Sequence, residues 1–248
     1  MKILNWEAIL WDCLEEMKNI PDGSIDCVIA DIPYGTTKCS WDTIIPFGAM
    51  WDQLKRITKK NGAIVLFGSQ PFTSALIMSN PKMFKYDWIW EKNICANFMM
   101  AKYVPLKKTE NILVFSEGGI NQNTKNKMVY FPQGTKPTSK EIVSKVKKQG
   151  VNIYNCLNKT FTQTTTGYPT NILKYSTENG LHPTQKPVAL IEYLIKTYTQ
   201  EWETVLDFTA GSFTTAISCE NTNRKWICIE KEQSYFDIGI NRLNLLSK

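Results

Sequence analysis

Two segments of the sequence end an apolar run in groups that can do chemistry. In the first, Asp26-Cys27-Val28-Ile29-Ala30 reads as a buried strand and runs into Asp31-Ile32-Pro33-Tyr34-Gly35, setting a carboxylate, a rigid proline and an aromatic ring at one strand end. An isolated X-Pro-Tyr-Gly is also an ordinary turn, so structure and catalysis both stay open for these residues on their own. In the second, the run from Val205 to Thr214, VLDFTAGSFT, reads as strand, tight turn and helix start. Gly211 lets the backbone approach a ligand with no Cβ in the way, and the helix terminus offers N–H groups to an anionic end. About twenty residues further on, the strand Lys225–Glu230 ends in a carboxylate that can accept from both hydroxyls of a ribose. The glycine turn alone is equally an ordinary strand-to-helix connection; with the acid at strand distance it reads as the site of a nucleoside-containing cofactor. The sequence has neither G-K-[ST] nor G-x-G-x-x-G, so a nucleoside carrying a carboxylate and no phosphate fits best.

The elements that must position these groups follow from periodicity. Cys27–Ala30, Ala63–Phe67, Asp87–Trp90 and Ile112–Phe115 read as strands, being short, β-branched or aromatic, and bounded by turn residues. Leu14 to Ile20 and Phe47 to Lys60 read as helices. After a polar stretch, a helix is expected over Pro187–Thr199, a strand over Thr204–Phe208, a helix from near Ser212, a strand over Lys225–Glu230 and an amphipathic helix from Gln233. This alternation predicts an α/β layer structure with a mostly parallel sheet. Between about Gly118 and Gly180 the pattern fails: Asn, Gln, Thr, Lys, Gly and Pro dominate, and such a long polar insertion is usually functional or mobile.

Composition limits the class. The chain has 248 residues and an ordinary apolar share of 43%, enough for a core without staples. Seven scattered cysteines, none in a C-x-x-C pair, encode neither a disulfide framework nor a zinc knuckle. No apolar run approaches the roughly 18 residues of a membrane span, and the amino terminus has no cleavable apolar segment; both point to a cytoplasmic protein with reduced thiols. Between Asn121 and Thr160 eight lysines face one acid, Glu141, a net +7 that leaves the rest of a +6 chain near neutral. The cluster is either a solvated surface or a patch that faces phosphates.

Taken together, Asp31-Ile32-Pro33-Tyr34 and the glycine turn resemble the signature of amino-methylating S-adenosylmethionine-dependent DNA methyltransferases, the N6-adenine/N4-cytosine type. Further segments carry the resemblance in order: Leu10–Leu14 with residues 20–26, Lys107–Phe115 (KKTENILVF) and His182-Pro183-Thr184-Gln185-Lys186-Pro187. The catalytic motif first, a polar segment next and the cofactor turn last resembles the β arrangement of that family. The resemblance implies a Rossmann-like methyltransferase fold, a mostly parallel twisted sheet with helices on both faces. It divides the chain into a catalytic half (1–117), a target recognition insertion (118–178) and a cofactor-binding half (179–248).

It also implies roles. An exocyclic amine is a poor nucleophile because its lone pair is drawn into the ring. Asp31 would accept one of its N–H groups and the carbonyl of Ile32 the other, with Pro33 fixing where that carbonyl points. Tyr34 would stack on a base turned out of the duplex. S-adenosylmethionine would be held by Asp12, Cys13, Asp31, Thr184, Gln185, Lys186, Asp207, Phe208, Gly211, Ser212 and Thr214, with Glu230 on the ribose. Lys136, Lys140, Lys145, Lys147 and Lys148 would face double-stranded DNA. His182 is structural, and no metal is implied. The first-position Asp resembles adenine-N6 enzymes. The resemblance leaves room for a homodimer, a cognate restriction endonuclease and association with a prokaryotic or phage nucleoid.

Two residues depart from the family pattern. Ile32 replaces the first proline of the motif, and Phe213 stands where a second glycine is usual, where a phenyl group would crowd or cap the cofactor. Alternative readings keep the fold and change the acceptor to cytosine N4 or RNA, or treat the chain as a silent DNA-binding module.

Overall fold

Apolar runs buried on both faces demand a layer of helices on each side of the sheet, and the sequence supplies both. The computed structural model describes residues 6–35, 42–143, 160–178 and 185–246. In chain order these form β1 (Trp6–Leu10), α1 (Cys13–Glu16), β2 (Ile25–Ala30), α2 (Phe47–Ile57), β3 (Thr58–Gly68), α3 (Phe72–Ser79), β4 (Phe84–Ala96), β5 (Lys107–Phe115), β6 (Lys136–Val143), β7 (Thr160–Thr166), β8 (Ile172–Lys174), α4 (Val188–Tyr198), β9 (Thr204–Asp207), α5 (Thr214–Asn221), β10 (Lys225–Glu230) and α6 (Gln233–Leu246). Contacts divide the chain into two units, one of residues 1–131 with 171–248 and one of Pro132–Thr170.

In the larger unit the strands lie in the order β1-β10-β9-β2-β3-β5-β4-β8. Neighbours run parallel except that β5 is antiparallel to both β3 and β4. The twofold alternation along each strand sorts side chains between two cores. Cys27 and Ile29 of β2, with Ala63, Val65 and Phe67 of β3, pack under α4 and α5; Val28 and Ala30, with Ile64 and Leu66, pack under α1, α2 and α3. Helix α2 offers Met50, Trp51, Leu54 and Ile57 on one face, and α4 offers Leu190, Ile191, Leu194, Ile195 and Tyr198, both at helical spacing.

The fold is the expected α/β layering, and its differences from expectation are local. The helix expected over Leu14–Ile20 is one turn of α1 followed by a tighter turn at Met17–Asn19, because Pro21 holds Ile20 extended (ψ 129°). Helix α2 stops at Ile57 rather than Lys60, since Thr58 turns extended and pairs with Ile25; sheet pairing overrides the helical pattern. The strands β1 and β8 and the helix α3 were not among the expected elements. The smaller unit holds β6 and β7, which pair antiparallel with Lys136 opposite Thr166 and Lys140 opposite Gln163. No described helix is long and apolar enough to cross a membrane.

Candidate active site

Four parallel strands deliver their carboxyl ends to one edge: β1 leads to Trp11 and Asp12, β2 to Asp31, β9 ends in Asp207, and β10 ends in Glu230. Adjacent strands β9 and β2 continue to neighbours on opposite sides, β10 and β3, and that divergence opens a crevice where α/β sheets bind ligands. A cavity of about 250 Å³ lies there. Asp31, Ile32, Pro33 and Tyr34 line it together with Asp207, Phe208, Gly211, Ser212, Thr214 and Glu230, and with Asp12, Cys13 and Lys186. Segments some 175 residues apart in sequence therefore share one pocket.

At the catalytic-motif end, the Asp31 carboxylate accepts from the Tyr34 hydroxyl on Oδ1 (2.7 Å) and from the Lys186 ammonium on Oδ2. Behind them stands Glu110 of β5, whose Oε1 lies 3.0 Å from the Tyr34 hydroxyl and 3.2 Å from Lys186 Nζ, and whose Oε2 pairs with Lys92 at 2.7 Å. Burial pushes Asp31 above the ordinary carboxylate range, and Glu110 adds to this, although Lys186 and the Tyr34 hydroxyl oppose it. Burial would also raise Glu110, but the ammonium groups of Lys186 and Lys92 outweigh it and hold the group down at about 2. Lys186 would be lowered by burial, yet the two carboxylates raise it. The result is a buried, paired cluster in which Glu110 is a fixed negative charge and Asp31 the more basic carboxylate. One face of the Tyr34 ring stacks on Phe72 (centroids 5.0 Å apart, 30° between planes). Gly35 N, just beyond the motif, donates to Asp42 (2.8 Å).

At the other end, the Glu230 carboxylate accepts from Gly211 N and Glu232 N, both at 2.8 Å, and each oxygen retains a further lone pair for a diol. Asp207 is buried, accepts from Thr209 N (3.1 Å) and the Thr215 hydroxyl (2.6 Å), and is raised by burial to about 7. From α6, Arg242 donates to the Ser212 carbonyl (2.6 Å) and the Thr214 hydroxyl (3.1 Å), bracing the turn. The side chain of Asp12 caps α1 by accepting from Leu14 N (2.9 Å) and Glu15 N (3.2 Å).

The cavity fits a nucleoside-containing cation. Six acids (Asp12, Asp31, Asp42, Asp207, Glu230 and Glu232) and two lysines line it, so its charge attracts a sulfonium or an ammonium. The Thr209 hydroxyl is buried at its wall with no hydrogen-bond partner among the described residues, a group that a ligand would satisfy.

Sequence expectation and structure part at two residues. Phe213 does not line the cavity: it is fully buried against α6, edge-on to Phe236 (5.5 Å). Its φ of +62° explains the usual glycine, because the position needs the left-handed region whatever the side chain does. Gln185 does not line the cavity either; its amide donates to Glu178 (3.3 Å), which also caps α4 at Val188 N. Lys186 lines the cavity, with its ammonium on Asp31 and Glu110. Ile32 sinks into the core, 2% exposed. Thr184, His182, Lys145, Lys147 and Lys148 lie outside the described residues, while Lys136 and Lys140 are exposed on β6. Glu110, Lys92, Asp42, Thr209 and Arg242 had been given no role. The signal for Glu110 is a single acid set close to the buried run Ile112–Phe115, where an unpaired charge would be costly.

A family model described as DNA methylase, of the N6/N4 methyltransferase type, matches residues 25–241. The chain is 27% identical over 247 residues to the DNA adenine methyltransferase YhdJ of Escherichia coli strain K12, covering 95% of this chain and 82% of that protein. It is 25% identical over 259 residues to the type II methyltransferase M.HpaI of Haemophilus parainfluenzae, covering 97% and 75%. Among solved structures, the M1.HpyAVI–SAM complex superposes with a TM-score of 0.63 at 24% identity, covering 96% of this chain and 98% of that one, a likeness of fold. The chain belongs to the N6/N4 DNA methylase family.

Proposed function

We propose that this DNA methyltransferase transfers a methyl group from S-adenosylmethionine to the exocyclic N6 of an adenine turned out of double-stranded DNA, at a site that the segment 118–178 selects. The observation that carries this reading is the shared cavity, with the Asp31 carboxylate at one end and the Glu230–Gly211 turn at the other. When bound, S-adenosylmethionine supplies an electrophilic methyl on a sulfonium. Asp31 accepts an N–H of the target amine through the lone pairs that Tyr34 and Lys186 leave on its oxygens. That contact orients the amine for attack, and orientation rather than covalent chemistry supplies the rate. On methylation the amine would lose a proton, and Asp31, held above the usual carboxylate range, would take it. Tyr34, backed by Phe72, offers its other face to the base. Lys186 and Lys92 balance Glu110 so that the cluster keeps one ionised, positioned acceptor.

The Asp in the motif and the likeness to a DNA adenine methyltransferase support adenine over cytosine. The likeness to a type II enzyme supports action beside a cognate endonuclease. The test is expression in a host without DNA methylation, followed by single-molecule sequencing. N6-methyladenine in one sequence context is the expected result; N4-methylcytosine would move the acceptor, and unmodified DNA would remove the reading.

A further inference from the structure

Every residue from Asn93 to Thr109 is exposed, and this stretch joins β4 to β5 at the edge that carries Asp31. It is not the usual polar surface loop. Ile94, Phe98, Met99, Met100, Tyr103, Val104 and Leu106 are all exposed, Phe98 by 81% and Met99 by 92%. The segment contains three lysines (102, 107 and 108) and no acid. Its tip is built rather than loose: Asn97, with φ +64°, turns the chain into a tight turn in which Met100 N donates to Asn97 O (2.9 Å) and Ala101 N to Phe98 O (3.1 Å). Lys107, where β5 begins, lies three residues before Glu110 of the carboxylate cluster, about 10 Å away along a strand. The loop therefore lies at the same sheet edge as the pocket.

Apolar side chains exposed at this edge cost solvation and add nothing to the core, so a patch of this kind marks a partner. The lysines and the absence of acids favour a polyanion. We propose, resting on the function above, that Phe98 and Met99 form a wedge that enters the DNA stack beside the target and fills the gap left by the extruded base, as apolar side chains do when they unstack a base step.

The test uses the full-length protein and two duplexes carrying the mapped target site. One is fully paired; in the other the target adenine faces an abasic position and is already loosely held. Methyl incorporation and the fluorescence of 2-aminopurine at the target are read for the parental protein and for the double variant Phe98→Ala, Met99→Ala. The expected result is a loss in kcat/KM of about tenfold or more on the paired duplex, with a dimmer 2-aminopurine signal, and near-parental rates on the abasic duplex. Equal losses on both duplexes, or no loss on either, overturn the wedge while leaving the methyltransferase reading intact. A shift from dimer to monomer in sedimentation, accompanied by equal losses, assigns the patch to a second copy of the chain. A parental protein inactive on both duplexes removes the function and the wedge together.

Discussion

The ammonium of Lys186, on the loop that enters α4, sits between two carboxylates from different strands, donating to Asp31 and lying 3.2 Å from Glu110 Oε1. It is the positive charge that lets two buried acids stand side by side at a strand end. Burial pushes Asp31 upward and Lys186 pulls it back. Methyl transfer needs the ionised form, so activity is lost as pH falls through the Asp31 pKa. Removing Lys186 raises that pKa further. Lys186→Met is therefore expected to move the acid limb of the pH–kcat profile to higher pH, with a lower plateau. An acid limb that stays in place would mean that Lys186 does not set the charge state of Asp31.

Asp31→Ala should abolish methyl transfer while leaving S-adenosylmethionine binding largely intact, because the opposite end of the cavity rests on Glu230, Asp207 and the Gly211 turn. Calorimetry and a methyl-incorporation assay on the same preparation separate the two. Equal loss of both would place Asp31 in the cofactor site alone.

Gly239 of α6 is the notch that admits Phe213. A methyl group at residue 239 would lie 2.5 Å from the buried ring, which has no room to retreat. Gly239→Ala is expected to destabilise the protein by about 1–3 kcal/mol, the usual cost of overpacking a core. The effect on the S-adenosylmethionine dissociation constant should be small, since Phe213 faces α6. Urea denaturation measures the first and calorimetry the second; a large affinity loss with unchanged stability would return Phe213 to the cofactor.

The sequence made the strand ends legible because each joins an apolar run to a chemically conspicuous group, as Ala30 does to Asp31 and Ile229 to Glu230. It also predicted the α/β layering, since β2 and β3 carry unbroken apolar runs. It did not reveal the strand β8, three residues long at the sheet edge, or the pairing of Lys186 with Asp31, which lie 155 residues apart and meet only through topology. Phe213 misled for a related reason: a local motif shows that a side chain replaces a glycine hydrogen but not toward which face the left-handed backbone aims it.

Asp207 gives a pH signature. Its ordinary value of 3.8 rises to about 7 in the fold, through burial first and the charges of Asp31 and Glu230 further down. A raised acid contributes stability that is complete below its unfolded pKa and is lost as pH rises through its folded one, here between about 4 and 7. Asp207→Asn should flatten the fall in stability across that window. A cationic ligand in the same cavity would lower the pKa again, so S-adenosylmethionine binding near pH 7 should release protons. Calorimetry in buffers of different ionisation enthalpy reads that release directly. Zero release, or uptake, would count against a cation beside Asp207.

Lys136 and Lys140 are exposed on β6, in a unit whose described strands carry mostly Thr, Gln and Lys, so they have no packing role to lose on substitution. If each neutralises a phosphate, replacing both with Gln should reduce the slope of log K against log salt by up to about 2, because each phosphate contact contributes close to one counterion. Extending the change to Lys145, Lys147 and Lys148 should reduce it further. Thermal stability serves as the control and should not move. A slope unchanged by all five replacements would make the cluster a solvated surface and would require the DNA to be held elsewhere on the chain.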